Sequence, residues 1–151
     1  MAKINLGCGY RKMDSCINVD NREVVKPDIV VDVEQGLPFL DNSIDEVMAI
    51  DFLEHIERSR LFPLMDEIWR VLKPRGKFNH VTPSDSGRGA WQDPTHKAAW
   101  NINTWKFYFT DLAYRKLYST KANFKILYLE DKITDHANRV VHTHCGYEAI
   151  K

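Results

Sequence analysis

The chain is short of the features that would tie it to an oxidising compartment or a membrane. It has three cysteines, Cys8, Cys16 and Cys145, an odd number without Cys-x-x-Cys spacing, which argues against a disulfide framework and against a cysteine zinc site. No apolar run approaches the roughly 20 residues of a membrane span, and the first residues lack the charged-then-apolar layout of a secretory signal. A cytoplasmic location is the reading these absences favour. Charge bias is missing as well: 21 Lys and Arg balance 21 Asp and Glu, so no global field draws the chain toward nucleic acid or an anionic membrane surface. No repeat or low-complexity segment divides the 151 residues, of which 44% are hydrophobic, so one globular domain over 1–151 is expected.

What is present begins with Ile4-Asn5-Leu6-Gly7-Cys8-Gly9, a buried strand that breaks into two glycines, followed by Cys16-Ile17-Asn18-Val19-Asp20, a second run that ends in a carboxylate. Glycines at a strand end let the backbone turn sharply and a ligand approach without meeting a Cβ. In open α/β sheets ligands lie beyond the carboxyl ends of the strands, so Gly7, Gly9 and Asp20 converge if these two strands are parallel neighbours. Gly-x-Gly alone also fits an ordinary turn beside an incidental acid. Ile29–Val33 is a third β-branched run and Ile44–Asp51 a fourth, the latter again closing on an acid.

From Phe52 the period becomes helical. It gives a short turn and then a longer helix through Leu72, interrupted near Pro63 and stopped by Lys73-Pro74-Arg75-Gly76. Lys77–Thr82 is a fifth strand, Ser84–Asn101 reads as irregular, and Ile102–Tyr118 as one helix. Phe124–Leu129 and Val140–Ile150, joined by the polar stretch 131–139, predict an antiparallel hairpin at the sheet edge.

Taken in order, Asn5-Leu6-Gly7-Cys8-Gly9, Asn18-Val19-Asp20, Asp32 with 37–45, Leu53-Glu54-His55-Ile56 and 69–76 resemble the class I S-adenosylmethionine-dependent methyltransferases, most closely their small single-domain branch. The resemblance implies an α/β fold: a Rossmann-like three-layer sandwich with a mostly parallel seven-stranded sheet and a C-terminal antiparallel hairpin. It implies S-adenosylmethionine as cofactor. Gly7, Cys8 and Gly9 would lie under its methionine part, Asp20 would take the ribose hydroxyls, Asp32 and the Val33 backbone would face adenine, and Asp51 would stand near the sulfonium.

Two departures from the family pattern stand out. Only ten residues, Tyr10 to Val19, separate Gly9 from Asp20, too few for a helix and a turn, so the first crossover is shortened. Arg11 or Lys12 then becomes the cationic partner for the cofactor's carboxylate. Only Met1, Ala2 and Lys3 precede the first strand, so no N-terminal lid helices are expected, and an acceptor, a partner subunit, a second copy of the chain or the 84–101 loop would have to exclude water. Within that loop Arg88, Trp91, Asp93 and His96 are candidates for the acceptor side, against the plainer reading of Asp93 as a cap and Trp91 as packing.

A base near neutrality would suit a hydroxyl or ammonium acceptor, and His96 and His55 are the candidates, against His55 as a helix-start residue. His136, His142 and His144 read as a solvated strand face, so no metal is expected. Two rival functions remain at this level: a non-catalytic cofactor-fold subunit that completes a partner, and a nicotinamide-dinucleotide oxidoreductase, disfavoured by the missing third glycine.

Overall fold

The computed structural model describes residues 1–151. Its strands are β1 (Lys3–Leu6), β2 (Ile17–Asp20), β3 (Ile29–Val30), β4 (Ile44–Ile50), β5 (Leu72–Pro83), β6 (Phe124–Asp135) and β7 (Val140–Ala149). They form one sheet of order β3-β2-β1-β4-β5-β7-β6. Pairing is parallel from β3 through β5 and antiparallel on both sides of β7. The strand order reverses between β1 and β4, which opens a crevice beyond their carboxyl ends.

Helices are few. The longest, α1 (Leu61–Val71), presents Leu61, Leu64, Met65, Ile68 and Val71 to the core at helical spacing. Pro63 sits in its first turn, where a missing N–H costs nothing, and so does not interrupt it as expected. The expected helix over Ile102–Tyr118 is two, α3 (Ile102–Phe107) and α4 (Leu112–Leu117). Asp111 divides them by accepting from Ala113 and Tyr114 N–H, a cap that starts a new helix. A single turn, α2 (Gly89–Gln92), stands in the stretch read as irregular. The third strand is shorter than expected because Asp32 already caps a 3-10 turn at Val33–Gln35. The segment 73–76, expected to precede the fifth strand, is instead an irregularity inside β5, whose register jumps from Leu72 to Lys77 opposite β4.

Ile4 and Leu6, Val19, Val47 and Ala49, Phe78 and Tyr147 share one sheet face and one core with α1 and with Trp105 and Phe109. The opposite face is polar. Register aligns Asn18, Asn5, Met48, Asn79, Gly146 and Tyr128 across six strands. The Tyr128 ring lies over Gly146, where an added Cβ would fall 2.2 Å from it, and its hydroxyl donates to Asn79 Oδ1 at 3.0 Å.

Over β1 and β2 this face is closed by the short first crossover. Asn5 Nδ2 donates to Arg11 O (3.0 Å) and Asn18 Oδ1 (3.1 Å), and Asn18 Oδ1 accepts from Met13 N–H (2.9 Å). Two buried amides thus fasten ten residues of loop where a crossover helix would need more chain. The sandwich's second cover is a loop at this end of the sheet.

Candidate functional site

The tips of β1, β2 and β4 meet round a cavity of about 430 Å³ whose wall includes Gly7, Asp20, Asp32, Val33, Asp51, Phe52, His55 and Ile56. Gly7 and Gly9 adopt left-handed backbone (φ 62° and 49°), as their place at a sharp turn demands. Gly7 also has no room for a side chain: a Cβ there would fall 2.0 Å from the Phe52 ring.

Asp20 is buried and fully answered. Its Oδ2 accepts from Gly9 N–H at 2.8 Å, and its Oδ1 from Arg22 N–H at 2.9 Å and Arg22 Nε at 3.0 Å. Burial alone would raise its pKa, but these donors hold it below the ordinary carboxylate value. Asp32 is exposed and caps the following 3-10 turn through Glu34 N–H (3.0 Å).

Asp51, just past β4, has φ 50°, a strained value for a residue with a Cβ and a common mark of functional sites. His142 Nε2 lies 3.2 Å from its Oδ1 and Arg11 Nη1 2.9 Å from its Oδ2. The His142 contact, helped by Arg11 against the opposing effect of burial, keeps its pKa low. The imidazole comes from β7, whose Pro83–His142 pairing carries it across from β5.

Behind the β4 tip lies a second group. Glu54 is 1% exposed, neither of its carboxylate oxygens has a hydrogen-bond partner, and burial lifts its pKa to about 8. His96 Nε2 is 4.0 Å from Glu54 Oε1 and 3.8 Å from Asp93 Oδ2. The His55 and His96 rings meet edge to face at 5.0 Å.

The expected site residues therefore divide. Gly7, Asp20, Asp32, Val33, Asp51 and His55 share the cavity wall, with Gly9 bonded to Asp20 behind it. Cys8 is buried rather than part of that wall. Arg11 reaches the site through Asp51. Of the acceptor-side candidates, none of Arg88, Trp91, Asp93 and His96 lines the cavity, although Thr95 and Lys97 from the same segment do. Trp91 is 68% exposed, and the Arg88 backbone is tied to Arg139 at the hairpin turn. Asp93 does act as a local cap, accepting from Thr95 N–H at 2.8 Å. Three contributors escaped the sequence reading: Phe52, Glu54 and His142. An acid between Leu53 and Ile56, two apolar residues of one short turn, was a legible sign of burial; His142 had no local signal, because only the pairing with β5 places it.

Residues 5–79, from β1 into β5, match the family described as Methyltransferase domain. The chain as a whole shares the fold of the class I S-adenosylmethionine-dependent methyltransferases. Similar solved structures include a S-adenosylmethionine-dependent methyltransferase from Methanosarcina mazei, 14% identical with a TM-score of 0.73 over 99% of this chain and 92% of that one. Another, from Archaeoglobus fulgidus, is 19% identical with a TM-score of 0.70 over 97% and 85%. A third is the complex of the Trm112 methyltransferase activator with a putative methyltransferase from Haloferax volcanii, 16% identical with a TM-score of 0.68 over 99% and 83%. No curated protein matches the chain by sequence. Within this methyltransferase fold, no helix is long and apolar enough to cross a membrane.

Proposed function

We propose that residues 1–151 form one methyltransferase domain that binds S-adenosylmethionine in the crevice at the β1, β2 and β4 tips and passes its methyl group to an acceptor. The observation that carries this reading is Asp20, a buried carboxylate at the end of β2 on the wall of a cavity that also holds Gly7, Asp32 and Asp51. The cavity, about 430 Å³, lies within the usual range of small-molecule sites. Its acids suit the cofactor: carboxylate oxygens accept from ribose hydroxyls and from the exocyclic amine of adenine. Val33 and Ile56 supply apolar surface beside them.

When bound, the cofactor supplies an electrophilic methyl group on a positively charged sulfur. Asp51, kept ionised by His142 and Arg11, offers the matching negative charge in a partly desolvated place. Arg11 is 76% exposed and retains donors for the cofactor's carboxylate. Asp20 becomes available to a ribose when the exposed Arg22 guanidinium swings off it. His55 is the imidazole on the cavity wall, placed to take a proton from an acceptor hydroxyl or ammonium.

Calorimetric titration with S-adenosylmethionine, S-adenosylhomocysteine and NAD tests the reading. The first two should bind and NAD should not, and Asp20→Asn should weaken both about 100-fold, the loss of charge-assisted bonds to two hydroxyls. Binding of NAD alone, or unchanged affinity in Asp20→Asn, overturns it.

A second reading, a fold subunit completed by a partner, has one observation in its favour. The edge beside the two-residue β3 leaves Val24 72% and Val30 53% exposed, and one similar structure is a complex with an activator protein. Turnover to S-adenosylhomocysteine by the isolated chain, across small-molecule, protein and RNA acceptors, speaks against it.

A further inference from the structure

Glu54, His55 and His96 each offer one ligand atom, and the three atoms lie within 4.8 Å of one another. Two segments far apart in sequence make this cluster, and they are fastened together beside it. Lys97 N–H (2.9 Å) and Ala98 N–H (3.1 Å) donate to Glu54 O, and Trp100 Nε1 donates to Leu53 O at 3.0 Å. The rings are oriented by backbone. His96 Nδ1 is 3.1 Å from Ala90 O, and His55 Nδ1 is 3.3 Å from Thr95 O. A carbonyl only accepts, so each Nδ1 carries the proton and each Nε2 keeps its lone pair, the arrangement in which imidazoles bind metal ions.

The carboxylate makes the decisive contribution. Glu54 is 1% exposed and both its oxygens lack any partner, although a buried carboxylate is costly unless paired, hydrogen-bonded or coordinated. Nothing in the fold answers it. Asp93, 3.8 Å from His96 Nε2 and 45% exposed, adds further negative charge at the rim. We propose that Glu54, His55 and His96 form a binding site for a divalent first-row transition ion, held by two imidazole nitrogens and one carboxylate.

This donor set suits Zn²⁺, Co²⁺ or Mn²⁺ better than a purely oxygen-seeking ion. Ligand atoms round such an ion at its usual bond lengths stand roughly 3.4 Å apart, so the three side chains close by about an ångström on binding. Three further positions at most, in an octahedral ion, stay open to water. In the loaded protein both imidazoles are ligands, and His55 takes up a proton only in the metal-free form. The inference does not depend on S-adenosylmethionine, because the cluster is complete without it.

The test is a titration of the chelator-treated 151-residue chain with Co²⁺, without cofactor, followed by visible d–d absorption and repeated with Zn²⁺ by calorimetry. One equivalent should bind, with Glu54→Gln and His96→Ala each weakening Co²⁺ by about 100-fold or more, while His136→Ala in the β6–β7 turn, outside the cluster, binds as wild type. Far-ultraviolet circular dichroism identifies any variant that fails to fold, and either of the two suffices to decide. A wild-type protein without saturable Co²⁺ absorption, or folded Glu54→Gln and His96→Ala proteins with wild-type affinity, overturns the site. Equal loss in His136→Ala does so too, since it would place the ion elsewhere.

Discussion

Asp20 ends β2 and Glu54 lies in the turn after β4, with β1 between the two strands; both carboxylates are buried, and the protein treats them in opposite ways. Asp20 receives the Gly9 and Arg22 amides and the Arg22 side chain, so it stays ionised. Glu54 receives nothing, and its pKa rises to about 8. Desolvation acts on both; donors decide the outcome. A satisfied buried acid is a fixed part of the local structure, ready to exchange a mobile donor for a ligand's hydroxyls. An unsatisfied one stores an electrostatic cost that only a proton or a cation can relieve.

Asp20→Ala should break this contrast most severely. It strips Gly9 of its acceptor inside the turn and leaves Arg22 without its anion, a loss of about 3 kcal/mol in unfolding free energy by urea denaturation. Acid titration of the wild type gives the same answer from another side. The folded pKa of Asp20 lies below its ordinary 3.8, so its contribution is complete above that value and disappears as pH falls through the folded one. An Asp20→Ala protein as stable as wild type at pH 7 would show that the bonds to Gly9 and Arg22 do no net structural work.

His80 shows a third way to bury an ionisable group. It is 1% exposed, its Nδ1 faces Thr82 Oγ1 at 3.0 Å, and Trp105 packs edge-on against the ring at 4.3 Å. Burial, with a smaller push from His144, lowers its pKa from 6.5 to about 3. The unfolded chain takes up a proton below pH 6.5 and the folded one does not until about pH 3, so stability falls through that window as pH is lowered. Between pH 6 and 4 the decline attributable to His80 is about 2 to 3 kcal/mol. His80→Gln should flatten the stability profile between pH 6 and 4 relative to wild type, and identical slopes would locate the acid sensitivity elsewhere.

How much of this was legible follows from the range over which each interaction acts. Gly7, Asp20 and Asp51 could be placed because a strand's alternation and its last residue are local, and because parallel strands bring their tips together. Asp32 was legible as an acid at a strand end, but its use as a turn cap shortened β3 below the run its β-branched residues suggested. The division of 102–118 was readable in principle from Asp111, a good cap in mid-helix. His142 and the Glu54–His96 cluster were not readable, since they depend on which strand β7 pairs with and on where the 93–98 segment folds back. The Asn5 and Asn18 staples belong to the same class: the sequence showed that the first crossover was too short for a helix, and only the structure showed what fastens it.

Replacing Glu54 should have the opposite sign from replacing Asp20. In metal-free protein Glu54→Met replaces an unanswered buried carboxyl by an apolar side chain of similar volume, and should raise stability by about 1 kcal/mol, visible as a higher melting temperature. A loss of similar size would mean that Glu54 has a partner in solution and that the two acids are alike.

The smallest effect belongs to Arg22→Ala, and it bears most directly on how Asp20 changes from a structural to a binding group. The guanidinium is 60% exposed, so solvent screening leaves the pair worth about 0.5 kcal/mol to folding. Gly9 N–H and the backbone amide at position 22 still answer the carboxylate when the side chain is gone. A ribose that needs the same oxygens no longer has to displace a cation, so S-adenosylmethionine should bind this variant severalfold more tightly, while stability falls only slightly. Weaker binding would instead make Arg22 a partner of the cofactor, with Asp20 serving to aim it.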